Sequence, residues 1–238
     1  MEIGIIGSGQ IGSTLARQLT ALGHRVLVAN SRGPDSLAAL AAETGATAAT
    51  VEQAARAHDV VIVAIPEKAV PELPRDLFTT TSAVVVDTGN YYPSRDGRIA
   101  EIENGLTDSE WVSTVLGRPV TKAFNNIGAG SLATRGVPAG TPGRVCLPVA
   151  GDDRRAKQVV LGLLETLGSD GLDSGRLADS WRQQPGTPAY CQDLNAARLA
   201  AALAQADPAQ TARYRAEADE AARPYFAQHH LLAPEVDS

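Results

Sequence analysis

The chain has 238 residues, enough for one large domain or one domain with a smaller appendage. Apolar residues make up 44 %, so a sizeable core can be buried. With 21 basic against 27 acidic residues, the net charge of −6 argues against nucleic acid or an anionic membrane as the main partner, since both select a basic face.

The chain opens on EIGIIG (2–7), a short apolar run that reads as a strand. It runs straight into GSGQIG (7–12), and a helix is predicted near 11–22 with Leu15, Leu19 and Leu22 on one face. In that setting Gly7 makes a tight turn, Gly9 lets the backbone approach a pyrophosphate, and Gly12 lets the helix lie close on the strand. The helix N-terminus then points its free amides and positive dipole end at the phosphates. A lone G-x-G-x-x-G is weak, but the strand before it and the helix and second strand after it make this one specific.

The second strand, RVLVAN (25–30), ends where a dinucleotide fold places an acidic residue, about 20 positions past the turn, to bind the adenosine ribose hydroxyls. This chain has Asn30, Ser31 and Arg32 there, and its first acid is Asp35. A carboxylate would repel a 2′-phosphate. The amide, hydroxyl and guanidinium found instead can bind one, so the stretch predicts NADP(H) over NAD(H).

Further strands are expected at ATAAT (46–50), DVVIVAI (59–65), AVVVDT (83–88), PVTKAF (119–124) and RVCLPVAG (144–151). Helices are expected between them near 35–44, 51–57, 67–77, 107–116 and 152–167. Thr107 and Glu110 form a capping box, and Asp152 and Asp153 stand at the positive end of the last of these helices, with Val160, Leu163, Leu164 and Leu167 on its apolar face. Continuous Val/Ile runs alternating with helices predict a doubly wound, mostly parallel α/β sheet of the Rossmann type.

Ligands of such sheets bind at the carboxyl ends of the strands. That places Ala64, Ile65, Pro66 and Glu67 near the site, together with Thr88, Gly89, Asn90, Tyr91 and Tyr92, and with Asn125, Asn126 and Ile127. Tyr91, Tyr92 or Lys122 could donate a proton, and nothing in the sequence selects one. His24 and His58 precede their strands at the wrong end, and His229 and His230 fall in the tail, so a histidine acid is not expected.

After about residue 168 no further strand is expected. Residues 1–168 read as the nucleotide-binding domain and 169–238 as a small helical region that completes the site or a dimer interface. Thr187 as N-cap with Pro188 behind it predicts the start of its main helix. Leu194, Ala197, Ala201 and Ala204 give that helix a small-residue stripe for packing on the sheet domain or on a second subunit, and 229–238 reads as a loose tail. Cys146 and Cys191 have neither disulfide nor metal spacing and read as buried thiols in a reducing cytoplasm. No metal site, leader or membrane span is expected, since the first strand starts at residue 2 and no apolar run nears the ~20 residues a span needs.

As a set, IGIIGSGQIGSTLARQLTALGH, the NSR after the second strand, DVVIVAIP, KAFNNI and VAGDD resemble the NADP oxidoreductases that use the deazaflavin coenzyme F-420. The likeness runs in order over about 1–168. The same module occurs in the cytoplasmic domain of membrane ferric reductases. The resemblance implies hydride transfer between NADPH and a deazaflavin stacked on the nicotinamide, in a homodimer. It implies Gly7, Ser8, Gly9, Gln10 and Ile11 at the pyrophosphate, Ser31 and Arg32 at the 2′-phosphate, and Pro66, Asn90 and Asn126 near the nicotinamide. Neither GNYYPSRDGR nor RQQPGTPAYCQDL matches a known deazaflavin pattern.

The absence of an obvious acid agrees with such an acceptor. Ketone reduction needs a positioned proton donor, whereas hydride exchange between nicotinamide and a flavin-like ring needs mainly stacking. Two alternatives stand beside it. One is an NADPH-dependent reductase of a small carbonyl or imine, with Tyr91, Tyr92, Tyr190 or Lys122 as acid; GTPAY (186–190) resembles a segment of pyrroline-carboxylate reductases. The other is a non-catalytic NADP(H)-binding sensor.

Overall fold

The structure is a computed structural model that describes residues 1–234. Its sheet consists of β1 (Glu2–Ile6), β2 (Arg25–Ala29), β3 (Thr47–Ala48), β4 (Val60–Val63), β5 (Val84–Asp87), β6 (Thr121–Lys122), β7 (Cys146–Ala150) and β8 (Asp170–Gly175). Their order across the sheet is β3-β2-β1-β4-β5-β6-β7-β8. β6 and β7 run antiparallel, and every other pairing is parallel.

Both faces of the sheet are covered, which is why its central strands can be apolar throughout. Along β4, Val60 and Ile62 join the layer that holds Leu15, Leu19, Leu163 and Leu164. Val61 and Val63 join the opposite layer with Ala54, Phe78, Trp111 and Val112. This is the period-two alternation of a strand, with both faces buried. The chain is a doubly wound α/β protein, as the run of strands and helices predicted.

The expected caps form. Thr107 and Glu110 close a reciprocal capping box on the helix Asp108–Leu116. Asp153 accepts from the amides of Arg155 and Ala156 at the start of Arg154–Thr166, whose inner face carries Val160, Leu163 and Leu164. Two predicted helices are broken instead. The stretch 67–77 is a 3-10 turn (Glu67–Glu72) and a separate helix (Arg75–Thr79), because Pro71 and Pro74 lack amide donors and restrict the residues before them. Likewise 35–44 starts as a 3-10 turn at Pro34–Leu37 before Ala38–Thr44.

The C-terminal region departs from expectation at five points. The sheet gains β8, whose sequence DGLDSG has one large apolar residue and so carries no strand signal; it pairs as an edge beside β7. Thr187 does not start a helix: its hydroxyl donates to the Gln184 carbonyl in a turn, and Cys191 and Asp193 have positive φ, which a helix forbids. The helix starts eight residues later, at Ala196–Gln205, capped by the Asn195 side chain on the Arg198 amide. Its buried face is Leu199, Ala202 and Leu203 against Cys146 and Ala189, while Ala197, Ala201 and Ala204 face solvent. Cys146 is buried, but Cys191 is exposed. The long helix Thr211–Gln228 follows, and the segment after it is docked: Ala233 N–H donates to the Ser94 carbonyl and Lys68 Nζ to that of Leu231. The rest of the expected tail, 235–238, lies outside the described residues.

Candidate functional site

The turn after β1 has the conformation its glycines allow. Gly7 sits at φ +114°, open to glycine and costly for other residues, and its amide donates to the Ala29 carbonyl at 2.8 Å. A Cβ on Gly12 would overlap the Gly7 carbonyl, so the helix Gln10–Ala21 can lie this close only with glycine there. Above Gly9 there is open space, with nothing within 4 Å of where a Cβ would stand. No side chain caps that helix at Gly9, which leaves its first-turn amides free to bind an anion. A pyrophosphate fits this cradle in charge and in space.

The turn opens into a cavity of about 490 Å³ that also takes in Asn30, Ser31, Arg32, Ala64, Ile65 and Pro66. Val51, Ile65, Ala69, Leu73 and Pro74 give it apolar walls suited to a purine. At its rim Asn30 acts as a brace. Its amide donates to Ser8 Oγ at 3.1 Å and Ser36 Oγ at 3.0 Å, and its Oδ1 accepts the Arg32 backbone amide at 2.9 Å. Ser31 and Arg32 are exposed beside it, and no carboxylate pairs with Arg32 among the described residues.

Asn90, Asn125 and Asn126 lie apart from that cavity, where the tips of β5 and β6 meet the C-terminal region. Asn125 Nδ2 donates to Asn90 Oδ1 at 3.0 Å and to the Gln183 carbonyl at 2.8 Å, while its Oδ1 accepts from Gln183 Nε2 at 3.0 Å. Asn90 returns a bond to the Asn125 carbonyl at 2.8 Å and reaches Tyr190 Oη at 3.4 Å. Asn126 Nδ2 lies 3.4 Å from the Ala189 carbonyl, and its buried Oδ1 has no partner among the described residues. Asn125 is thus a rivet between sheet and C-terminal segment, and half-buried Asn90 is the amide nearest open space.

The candidate proton donors are differently placed. Tyr91 is buried, its one hydroxyl proton shared between Gly97 O and Glu103 and its oxygen accepting from the Ile99 amide, and burial pushes it up to about 12. Tyr92 Oη and Tyr190 Oη lie 2.8 Å apart, and burial raises both, Tyr92 to about 12. Lys122 is fully buried, with Nζ 3.1 Å from Asp87 Oδ2 and 2.5 Å from the Gly89 carbonyl. Burial works against its charge, but Asp87, Asp108 and Glu67 outweigh it and hold the proton on.

Behind these tips lies a charged cluster that the sequence did not announce. Glu67, expected at the β4 tip, is fully buried, with Oε2 2.9 Å from an Arg95 guanidinium nitrogen. The same guanidinium holds Asp96 at 2.7 Å and the Asn90 carbonyl at 2.6 Å, and lies 5.3 Å from the Tyr92 ring centroid. Burial pushes the Glu67 carboxyl well above its usual range; Arg95 opposes this, and Asp96, Asp108 and Asp87 add to it. Arg95 and Gln183 lie in GNYYPSRDGR and RQQPGTPAY, where no periodicity or motif marks them. Tyr225 is a third omission, since its hydroxyl accepts from Gln10 Nε2 at 3.1 Å, across the turn.

Residues 2–91 match the family model described as NADP oxidoreductase coenzyme F420-dependent. The crystal structure of the hypothetical protein SMa0349 from Sinorhizobium meliloti is similar at 34 % identity and a TM-score of 0.69, covering 82 % of this chain and 96 % of that one. YjhV of Escherichia coli K12 is 46 % identical over 86 residues, which is 36 % of this chain and 56 % of that relative, little more than half its length. A protein from Arthrobacter sp. FB24, assigned as an F420-dependent NADP-reductase, shares the fold at a TM-score of 0.64 and 24 % identity, over 76 % of this chain and 87 % of its own. With the glycine turn, its open cradle and the acid-free end of β2, these likenesses place the chain in the NADP oxidoreductase, coenzyme F420-dependent family.

Proposed function

We propose that this enzyme exchanges hydride between NADP(H) and a planar acceptor of the flavin or deazaflavin class. In this reading the turn (Gly7, Ser8, Gly9, Gln10, Ile11, Gly12) binds the pyrophosphate, Asn30, Ser31 and Arg32 the 2′-phosphate end, and Ala64, Ile65 and Pro66 the middle of the dinucleotide. Asn90, Asn125 and Asn126 border the nicotinamide. The bound cofactor supplies the hydride. The chain's part is to orient the nicotinamide, shield it from water and leave one ring face open to the acceptor.

One observation carries the choice of acceptor: the candidate acids at the strand tips are engaged with other groups of the protein. Lys122 is sealed in an ion pair, Tyr91 is bonded inside its own loop, and the Tyr92–Tyr190 pair is raised by burial. A carbonyl acceptor needs a protonated donor in contact with the oxygen that becomes the alkoxide. A stacked isoalloxazine-type ring would not. The test is NADPH oxidation by the purified protein with deazaflavin, FMN, FAD or riboflavin. Turnover with one of them is expected, and failure with all four sinks the reading.

Tyr190 keeps the carbonyl or imine reading in play, because its half-buried hydroxyl reaches Asn90 and Tyr92 together. If Tyr190→Phe abolishes turnover while NADPH still binds, that second reading wins. A nucleotide-binding domain that runs on through β8, with the chain after it completing the site, is part of the proposal. So is a homodimer, for which the solvent-facing Ala197, Ala201 and Ala204 leave a surface; the mass in solution tests it.

A further inference from the structure

The C-terminal helix Thr211–Gln228 runs across the 90–97 loop and ends over the mouth of the glycine turn. Phe226 is its buried anchor, edge-on to the Tyr92 ring at 5.2 Å and 5.4 Å from the Arg95 guanidinium. Asp219 adds a second fixing point, accepting from the Ser94 amide at 2.9 Å and its hydroxyl at 2.8 Å. The chain then continues past Leu231, which Lys68 holds, to Ala233, which pairs with Ser94. The end of the helix is therefore pinned to the loops after β4 and β5.

With Phe226 turned inward, its neighbour Tyr225 is turned outward, 42 % exposed, and its hydroxyl takes the Gln10 amide. His229 stacks on the Tyr225 ring at 4.1 Å, and its Nδ1 lies 2.8 Å from the Tyr225 carbonyl. An aromatic pair is thus held at the first residue of the helix whose free amides face the cradle. Gln10 has no other side-chain partner among the described residues, so a ligand on the turn meets the Gln10–Tyr225 contact directly.

We propose that Tyr225 is a dinucleotide-contacting residue, closing the outer side of the pyrophosphate cradle together with Gln10. The inference rests on reading residues 7–12 as the pyrophosphate turn. On binding, the Tyr225 hydroxyl and the Gln10 amide turn from each other to the ligand's oxygens. The pinned helix keeps the ring in place as a cover, and the dinucleotide leaves only after that cover opens.

The experiment measures NADPH and NADH binding by nicotinamide fluorescence, with release rates by stopped flow, for the full chain and for Tyr225→Phe and Tyr225→Ala. Tyr225→Phe keeps the ring stacks and removes one hydrogen bond, so both dinucleotides should bind about 3–10-fold more weakly, mainly through faster release. Tyr225→Ala should lose more, and the NADPH-to-NADH preference should not move, because the pyrophosphate is common to both. Circular dichroism and Tm of Tyr225→Phe should match the parent, since that variant keeps the ring stacks. Unchanged Kd and release rates in both variants would overturn the proposal and leave the turn assignment intact. So would tighter binding, which would make Tyr225 a competitor of the ligand. If the parent chain binds neither dinucleotide, the turn assignment and the proposal fall together.

Discussion

Replacing Arg32 tests the cofactor selector most directly. The guanidinium stands exposed on the rim of the adenosine cavity, with its backbone fixed by Asn30 Oδ1 at 2.9 Å and no ion-pair partner among the described residues. A buried charge-assisted contact with a phosphate is worth about 1.5–3 kcal/mol, and exposure to water and salt moves this one to the lower end, about 1.5 kcal/mol. Arg32→Ala should therefore weaken NADPH roughly 10-fold. Arg32→Asp adds repulsion between a carboxylate and a dianionic phosphate, at about another 1–2 kcal/mol in partly screened surroundings, for a total loss near 100-fold. NADH has no 2′-phosphate and should be unaffected by Arg32→Ala. It should gain slightly from Arg32→Asp, because a carboxylate at this place can accept from the ribose hydroxyls. Fluorescence titration with both dinucleotides at two salt concentrations is the assay, and the NADPH loss should shrink at the higher one. Equal losses for the two cofactors would refute the selector role.

Glu67→Gln should change how stability depends on pH. The Glu67 carboxyl titrates well above its ordinary 4.5, so the folded state keeps a proton that the unfolded chain has released, and wild-type stability falls as pH rises from 4.5 through the folded value. The Tm difference should widen in favour of the variant over that window, and a pH-independent difference would contradict the burial argument. Asn125→Ala removes the rivet to Gln183 and leaves buried polar groups unpaired, at a cost of roughly 2–3 kcal/mol, or about 5–10 °C in Tm by calorimetry. Gly9→Ala and Gly12→Ala should part company. The first places a methyl in open cradle space and should weaken dinucleotide binding with an unchanged Tm, whereas the second overlaps the Gly7 carbonyl and should lower both.

What the sequence revealed follows the reach of its signals. β1, β2, β4 and β5 were legible because a strand buried on both faces must be a short continuous apolar run, and the glycine turn because its three glycines have separate steric duties. β8 was illegible because an edge strand held by its pairing with β7 and by one packed leucine, Leu172, shows no apolar pattern. Thr187-Pro188 misled because an N-cap signal says nothing about the positive φ of Cys191 and Asp193 three to five residues later. The alanine stripe is silent in another way: small residues at helical spacing mark a face without saying what covers it, and within the chain Leu199, Ala202 and Leu203 carry the buried area instead. Around the candidate site, the residues adjacent to the strand ends were legible by position. Arg95, Gln183 and Tyr225 were not, because they reach the site from loops and a distant helix, and only the fold sets those distances.

Lys122 shows how that limit bears on mechanism. From the sequence it is a lysine at the functional end of a strand and hence a candidate acid. In the structure its ammonium is a counter-ion, bonded to Asp87 and the Gly89 carbonyl and surrounded by more carboxylates than cations. A general acid must release its proton to a group in contact with it, and this ammonium is buried and holds its proton more firmly than a free lysine. The two roles predict opposite phenotypes for Lys122→Met. As a counter-ion, its loss leaves Asp87 Oδ2 with only the Ser109 hydroxyl at 2.6 Å, a buried charge without compensation that costs about 3–5 kcal/mol. Tm should then fall by roughly 10 °C or more, with turnover per folded molecule largely retained. As an acid, its loss would leave stability nearly intact and abolish turnover. Calorimetry and single-turnover kinetics on the same preparation separate the two, and a stable, inactive variant would refute the counter-ion assignment and with it the argument for an acceptor that needs no side-chain acid.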